Sequence, residues 1–126
     1  MRGDVYQLKA PQDAHGHEQR GRRFAVVVLA TRLDQLSTWL VVPSSTSAQP
    51  AIYRPEVEIP GHGRSRILCE ALTSVDPARR LGNLVGFLGL DEMNQIDQAL
   101  LGLLDLTSPS RTRPPSMSPP RWGPWQ

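Results

Sequence analysis

Residues 15–30 read HGHEQRGRRFAVVVLA, and the second half of this stretch decides the fold. Phe24–Ala30 is apolar throughout and rich in β-branched side chains. A half-exposed strand alternates apolar and polar residues, so an unbroken apolar run of this length predicts a strand covered on both faces. The run is seven residues long, far short of the ~20 needed to span a bilayer. The first half has the opposite character. Two histidines, one carboxylate and three arginines fall within His15–Arg23, directly before the buried run.

Upstream, Gly3–Lys9 alternates, with Val5, Gln7 and Lys9 on one face and Asp4, Tyr6 and Leu8 on the other, the pattern of a first strand. Ala10–Gly21 is polar, holds Pro11, Gly16 and Gly21, and predicts a long loop of the kind that often carries function. Downstream, Trp39–Val42 predicts a second short buried strand, ended by Pro43 and the hydroxyl-rich run Ser44–Ser47. Glu56–Ile59 alternates and is expected to pair with Arg66–Glu70 across the turn Pro60-Gly61-His62-Gly63. Leu72–Asp76 reads as a further strand segment, and Pro77 opens a short helical turn. One clear helix follows, with Met93, Ile96, Leu100, Leu103 and Leu104 at helical spacing. Asp91 and Glu92 in its first turn complement the helix dipole, and Pro109 with the polar tail stops it by residues 105–107. Five or six short strands and one terminal helix predict a mainly β (α+β) domain, a small closed or half-closed barrel with the helix packed alongside. Tyr6, Trp39 and Phe87 are expected in the core, and Cys69 as a small buried filler.

A chain of 126 residues leaves room for one domain, placed at residues 1–106. Residues 107–126 contain six prolines, four serines and no acid, the composition of a disordered tail with polyproline character. The formal charge of +2 is misleading as a whole. Arg111, Arg113 and Arg121 lie in the tail, so residues 1–106 carry eleven basic against twelve acidic residues. A nucleic-acid ligand would therefore be held by a local cluster and not by a global field. The single cysteine excludes an internal disulfide and a multi-cysteine metal site, and it fits a reducing cytoplasm. No secretory signal or membrane span is visible at the start of the chain.

The chemistry that the His15–Arg23 cluster suits is cleavage of an RNA strand. A 2′-hydroxyl must lose a proton, a pentacovalent phosphate needs its charge stabilised, and the leaving 5′-oxygen needs a proton. Glu18 or His17 can move protons, and an arginine can clamp a phosphate through two parallel hydrogen bonds. Metal ligation by His15, His17 and Glu18 is the rival reading. Alternate histidines and one carboxylate on one loop make a poor cage, so no metal and no cofactor are expected. Arg23 stands apart because it abuts the buried strand, where its backbone is held as a preorganised clamp requires.

The chain resembles the MazF/PemK/Kid family of type II toxin–antitoxin endoribonucleases. The resemblance is carried by Arg2-Gly3-Asp4-Val5-Tyr6, by Gly16-His17-Glu18-Gln19 followed by Gly21-Arg22-Arg23-Phe24-Ala25-Val26-Val27-Val28, by Leu40-Val41-Val42-Pro43 with the Ser/Thr run, by Ile67-Leu68-Cys69-Glu70, by Thr73-Ser74-Val75-Asp76, and by Gly86 with the terminal helix. These blocks run in the family's order over residues 2–106. The resemblance implies a small SH3-like β-barrel of the CcdB/PemK kind, working as a homodimer in the cytoplasm with no membrane partner. It implies metal-independent, sequence-specific cleavage of single-stranded RNA (messenger, transfer or ribosomal) to 2′,3′-cyclic phosphate and 5′-hydroxyl ends, and a cognate antitoxin protein that blocks the site.

Carried over residue by residue, the resemblance puts the catalytic arginine at Arg23 and the site hydroxyl at Thr46, or at Ser45 if the run holds no insertion. It puts the loop His/Glu pair at His17 and Glu18, with Asp76 a further candidate base. Arg20, Arg22, Gln19 and Ser45 are the candidate RNA contacts. The sequence departs from the family at Phe24, where proline is usual, at Glu70-Ala71, and at Thr73, where several members have an arginine. Two other readings share the scaffold: a growth inhibitor that binds a protein, in the manner of a DNA gyrase poison, and an RNA-binding module that has lost catalysis.

Overall fold

Strand β2 (Phe24–Val27) lies inside a seven-stranded antiparallel sheet, between β3 (Trp39–Ser45) and β1 (Asp4–Leu8). Its side chains alternate between two apolar clusters. Phe24 and Val26 join Val5, Val42, Ile67 and Ile96 in one, and Ala25 and Val27 join Val41, Val75 and Leu81 in the other. That double covering is why no polar residue interrupts the stretch. The computed structural model describes residues 1–9 and 23–106. The expected loop at 10–21 and the expected tail at 107–126 lie outside the described residues. The apolar stretch leaves the ladder earlier than its composition suggests. Both Val28 N–H and Leu29 N–H donate to the Leu40 carbonyl, at 3.0 and 3.3 Å, so the pairing closes at Val27.

The remaining strands are β4 (Glu56–Ile59), β5 (Gly63–Ile67), β6 (Thr73–Val75) and β7 (Leu81–Phe87), with a short helix α1 (Pro77–Arg80) before β7 and α2 (Leu90–Leu103) at the end. The sheet order is β4-β5-β3-β2-β1-β7, with β6 also paired to β3. The sheet curls into a half-barrel with α2 packed on it.

Several expectations are corrected. Pro43 does not end β3; it sits within the strand, opposite Ala25. On its other edge β3 pairs with β6 at Trp39–Val41 and with β5 at Ser44–Ser45. Pro43 falls at the changeover, where the Pro43 carbonyl accepts from Leu68 N–H at 2.8 Å and the missing N–H breaks no ladder bond. The β4–β5 hairpin pairs Glu56 with Arg66 and Ile59 with Gly63, so its second strand is Gly63–Ile67 and not Arg66–Glu70. Ser65 and Ile67 then face inward, and the chain turns at Cys69–Ala71 into a single 3₁₀ turn that drops Cys69 into the core. β7 answers to no strand in the sequence reading. Its Gly82, Asn83 and Gly86 break the alternation, and its pairing with β1 carries register shifts on both sides of Tyr6.

Phe87, expected in the core, is 74% exposed on β7; Leu88, the next residue, takes the buried place. Tyr6 and Trp39 are half-buried, packing on the second cluster with ring centroids 6.3 Å apart. Cys69 is buried as expected, and burial pushes its thiol up to about 11, with Glu70 and Asp97 adding to the shift.

α2 buries Met93 and Ile96, worth roughly 1.5–3 kcal/mol each by the apolar area removed from water. Its last turn is looser than the periodicity suggests, since Leu103 and Leu104 are exposed. The start is anchored by Glu92. One carboxylate oxygen accepts from Gly89 N–H at 3.0 Å and the other from Glu58 N–H at 3.3 Å, tying the helix to β4. Arg2 ion-pairs with Asp97, fastening the N-terminus to the same helix. The half-barrel is drawn together where Gly86 of β7 meets Pro60 of the β4–β5 turn; a Cβ at Gly86 would sit 2.9 Å from the proline Cβ and Cγ.

Candidate active site

A polar cleft of about 330 Å³ opens where β2 begins and β3 ends. It is lined by Arg23, Phe24, the run Ser44–Ser47, and Ile59, His62 and Ser65 of the β4–β5 hairpin. Arg23 is half-buried, and its backbone is held on both sides. Its carbonyl accepts from Leu8 N–H at 2.9 Å, and the next amide, Phe24 N–H, donates to the buried Ser44 Oγ at 3.3 Å. The expectation that Arg23 stands on fixed backbone is therefore met.

Ser45, the last residue of β3, and Thr46, in the bend after it, reach the same cleft. The hydroxyl of Ser45 is already engaged: it accepts from Ser47 N–H at 3.2 Å and lies 3.4 Å from Ser47 Oγ. Thr46 is exposed at the lip. Of the candidate residues, Arg23, Ser45 and Thr46 are thus brought together where the chain enters β2 and leaves β3. His17, Glu18, Gln19, Arg20 and Arg22, with His15, lie outside the described residues.

Asp76 does not join the cleft. It caps α1, accepting from Ala78 N–H at 3.0 Å, and stands 3.8 Å from the Arg79 guanidinium. Capping a helix N-terminus is the ordinary work of an aspartate before proline, so Asp76 is a structural residue here. Thr73 is exposed on β6, paired with Val41, and likewise lines no part of the cleft. Arg64 pairs with Glu56 at 3.4 Å, and Arg66 donates to the Arg54 carbonyl at 3.1 Å. Glu70 accepts two hydrogen bonds from Arg54, at 2.9 and 2.7 Å, which hold its carboxyl below the usual range.

His62 and Ser65 were not singled out in the sequence as site residues. The turn Pro60-Gly61-His62-Gly63 reads as hairpin chemistry, and nothing local shows that its tip folds over Arg23. A histidine between two glycines at a turn was the available signal. A second, larger groove of about 640 Å³ runs between Ile52-Tyr53 and α2, and no charged side chain lines it. Among the described residues, no three His, Cys, Asp or Glu side chains cluster as a metal site would require. No helix among them is long and apolar enough to cross a membrane.

A curled antiparallel half-barrel with a terminal helix is the fold of the MazF toxins. An endoribonuclease in complex with its cognate antitoxin, from a mycobacterial species, superposes with a TM-score of 0.68 at 20% identity, over 86% of this chain and 98% of that one. The Mycobacterium tuberculosis toxin MazF-mt6 gives 0.68 at 15% identity, over 83% and 99%. The match extends to sequence. The model of the PemK-like, MazF-like toxins of type II toxin–antitoxin systems covers residues 1–104, and the chain belongs to that family. A Mycobacterium tuberculosis protein named "Putative toxin Rv3098A" is 39% identical over 106 residues, 84% of this chain and 98% of that protein.

Proposed function

We propose that this toxin is a metal-independent endoribonuclease that cuts single-stranded RNA at short sequence motifs, leaving 2′,3′-cyclic phosphate and 5′-hydroxyl ends and so arresting translation and growth. The observation that carries the reading is the convergence of Arg23 with the hydroxyls of Ser45 and Thr46 in one polar cleft. In the cleavage step the 2′-oxygen loses its proton and bonds to phosphorus while the P–O5′ bond breaks. The guanidinium of Arg23 holds the equatorial oxygens as charge gathers on them; it carries a permanent charge, so the step asks for no metal. Thr46, exposed at the lip, donates a hydrogen bond to the scissile phosphate. Glu18 or His17 accepts the 2′-proton, and Arg20, Arg22 and Gln19 hold the flanking RNA. Messenger, transfer and ribosomal RNA all offer such strands.

The protein acts in the cytoplasm as a homodimer and is silenced by an antitoxin protein laid across the cleft. Family membership and the fold shared with an endoribonuclease–antitoxin complex support this.

The test is incubation of purified protein with total cellular RNA in EDTA, with Arg23→Ala beside the wild type and 5′-hydroxyl ends sequenced. New ends at a common motif with wild type, lowered about 10²–10³-fold by Arg23→Ala, are expected. Intact RNA with folded wild-type protein refutes the nuclease reading. Growth arrest undiminished by Arg23→Ala favours a toxin that works by binding a protein.

A further inference from the structure

The tip of the β4–β5 hairpin places His62 on the wall of the cleft that holds Arg23. Three features fix it there. Gly61 and Gly63 take φ of +78° and +81°, backbone that a side chain at either position would strain. His62 N–H donates to the Ile59 carbonyl at 2.8 Å, closing the turn. The imidazole packs on Phe24, ring centroids 4.7 Å apart and planes inclined by 43°. Phe24 is itself buried and is the residue directly after Arg23. The histidine is therefore referenced to the same short piece of β2 that positions the arginine. Phe24 has no polar atom, so this contact leaves both ring nitrogens available, and the residue is exposed toward the cleft.

Transesterification of RNA needs a proton donor as well as an acceptor. The donor must hold a proton at neutral pH and also release it. Arg23 meets only the first condition, since a guanidinium does not deprotonate in a protein. The hydroxyls of Ser44, Ser45, Thr46, Ser47 and Ser65 are far too weak as acids to release a proton near neutrality. An imidazole does. Among the described residues lining the cleft, His62 alone has that chemistry, and no carboxylate lines it.

We propose that His62 is the general acid of the cleavage, a role that rests on the nuclease reading above. As the 2′-oxygen bonds to phosphorus and the P–O5′ bond breaks, an imidazolium N–H of His62 gives its proton to the departing 5′-oxygen. The products are the 2′,3′-cyclic phosphate, the 5′-hydroxyl and a neutral imidazole, which regains a proton from water. Arg23 and His62 would then grip the phosphodiester from two walls, one stabilising the phosphorane and the other the leaving group. Phe24, in place of the family's usual proline, supplies the surface that holds the imidazole.

The test uses an oligoribonucleotide spanning a cleavage site mapped with the wild-type protein, made with the ordinary 5′-oxygen or with sulfur bridging at that position. A thiolate departs without a proton, so the sulfur substrate does not need a general acid. His62→Gln is expected to cut the oxygen substrate about 10²–10³-fold more slowly than wild type and the sulfur substrate within about threefold of it. Arg23→Ala is expected to slow both. Because His62 is exposed in a turn, His62→Gln should melt with the wild type, and an identical melting curve confirms that the loss is not unfolding. Equal slowing of both substrates, or no slowing of either, overturns the assignment while leaving the nuclease intact. A wild type that yields no cleavage site to map overturns the nuclease reading as well.

Discussion

Gly86→Ala should destabilise this protein far more than the loss of one glycine suggests, and should weaken the site with it. A Cβ at position 86 would stand 2.9 Å from both Cβ and Cγ of Pro60. Ordinary carbon–carbon contact is about 3.5–4.0 Å, so β7 and the β4–β5 turn must part by roughly 0.6–1 Å. The obstacle is a proline ring fused to backbone, which cannot swing away as a long side chain would. Overpacking of this kind costs about 1–3 kcal/mol. At about 4–8 °C per kcal/mol for a domain near 100 residues, Tm should fall by roughly 5–20 °C. Gly102→Ala is the control: it lies near the end of α2 with nothing within 4 Å, and the better helix propensity should hold or raise Tm. Thermal denaturation by circular dichroism reads both. A cycle with Pro60→Gly should return a coupling that favours the double variant, because the clash needs both partners. The turn beginning at Pro60 also carries His62, so RNA cleavage by Gly86→Ala should fall at temperatures where the protein is still folded. An unchanged Tm for Gly86→Ala, or additive effects in the cycle, would refute the claim that this contact draws the half-barrel together.

Three further outcomes are expected. Thr46→Val keeps the shape of the side chain and removes its hydroxyl; cleavage should fall about 10–100-fold, the cost of a hydrogen bond to a charged group, with Tm unmoved. Ser45→Ala should cost less, because Thr46 and not Ser45 stands exposed at the lip of the cleft, and a larger loss at Ser45 than at Thr46 in a cleavage assay would reverse the assignment. Glu70→Gln should lower Tm at pH 7. The hydrogen bonds from Arg54 depress the Glu70 pKa in the folded state, so their contribution is present above the unfolded carboxylate range and is lost as pH falls through the folded pKa. The Tm difference between Glu70→Gln and wild type should therefore close as the pH is taken well below about 4, and an equal difference at pH 7 and pH 3 would contradict it.

Much of the fold is legible residue by residue. The apolar residues Phe24–Val27 announce an interior strand because both of its faces are covered. The spacing of Met93 and Ile96 announces a helix face, and Asp76-Pro77 a helix start. The failures share one cause. Pro43 looks like a strand end because its missing donor is a local fact, whereas the gap between β6 and β5 that tolerates it is not. The hairpin register and the strand β7 were hidden for the same reason: Gly63, Gly82 and Gly86 carry no periodic signal, and their places are set by partners far along the chain. Phe87 and Leu88 are both apolar, and only the direction in which β7 faces decides that the leucine is buried and the phenylalanine exposed.

The candidate site divides along the same line. Its arginine can be picked out from local chemistry, since a polar cluster abutting a buried strand is visible in one dimension, whereas Ser45 and Thr46 enter the sequence reading only through the family resemblance. That Ser45 accepts from its neighbour Ser47 while Thr46 is exposed, that Asp76 is a helix cap, and that His62 leans on Phe24 beside Arg23 are consequences of strand register and sheet curl. Backbone propensity and apolar patterning act over a few residues and are written in the chain. The meeting of a hairpin tip with the start of a distant strand depends on how every intervening strand pairs and twists, and only the folded structure settles it.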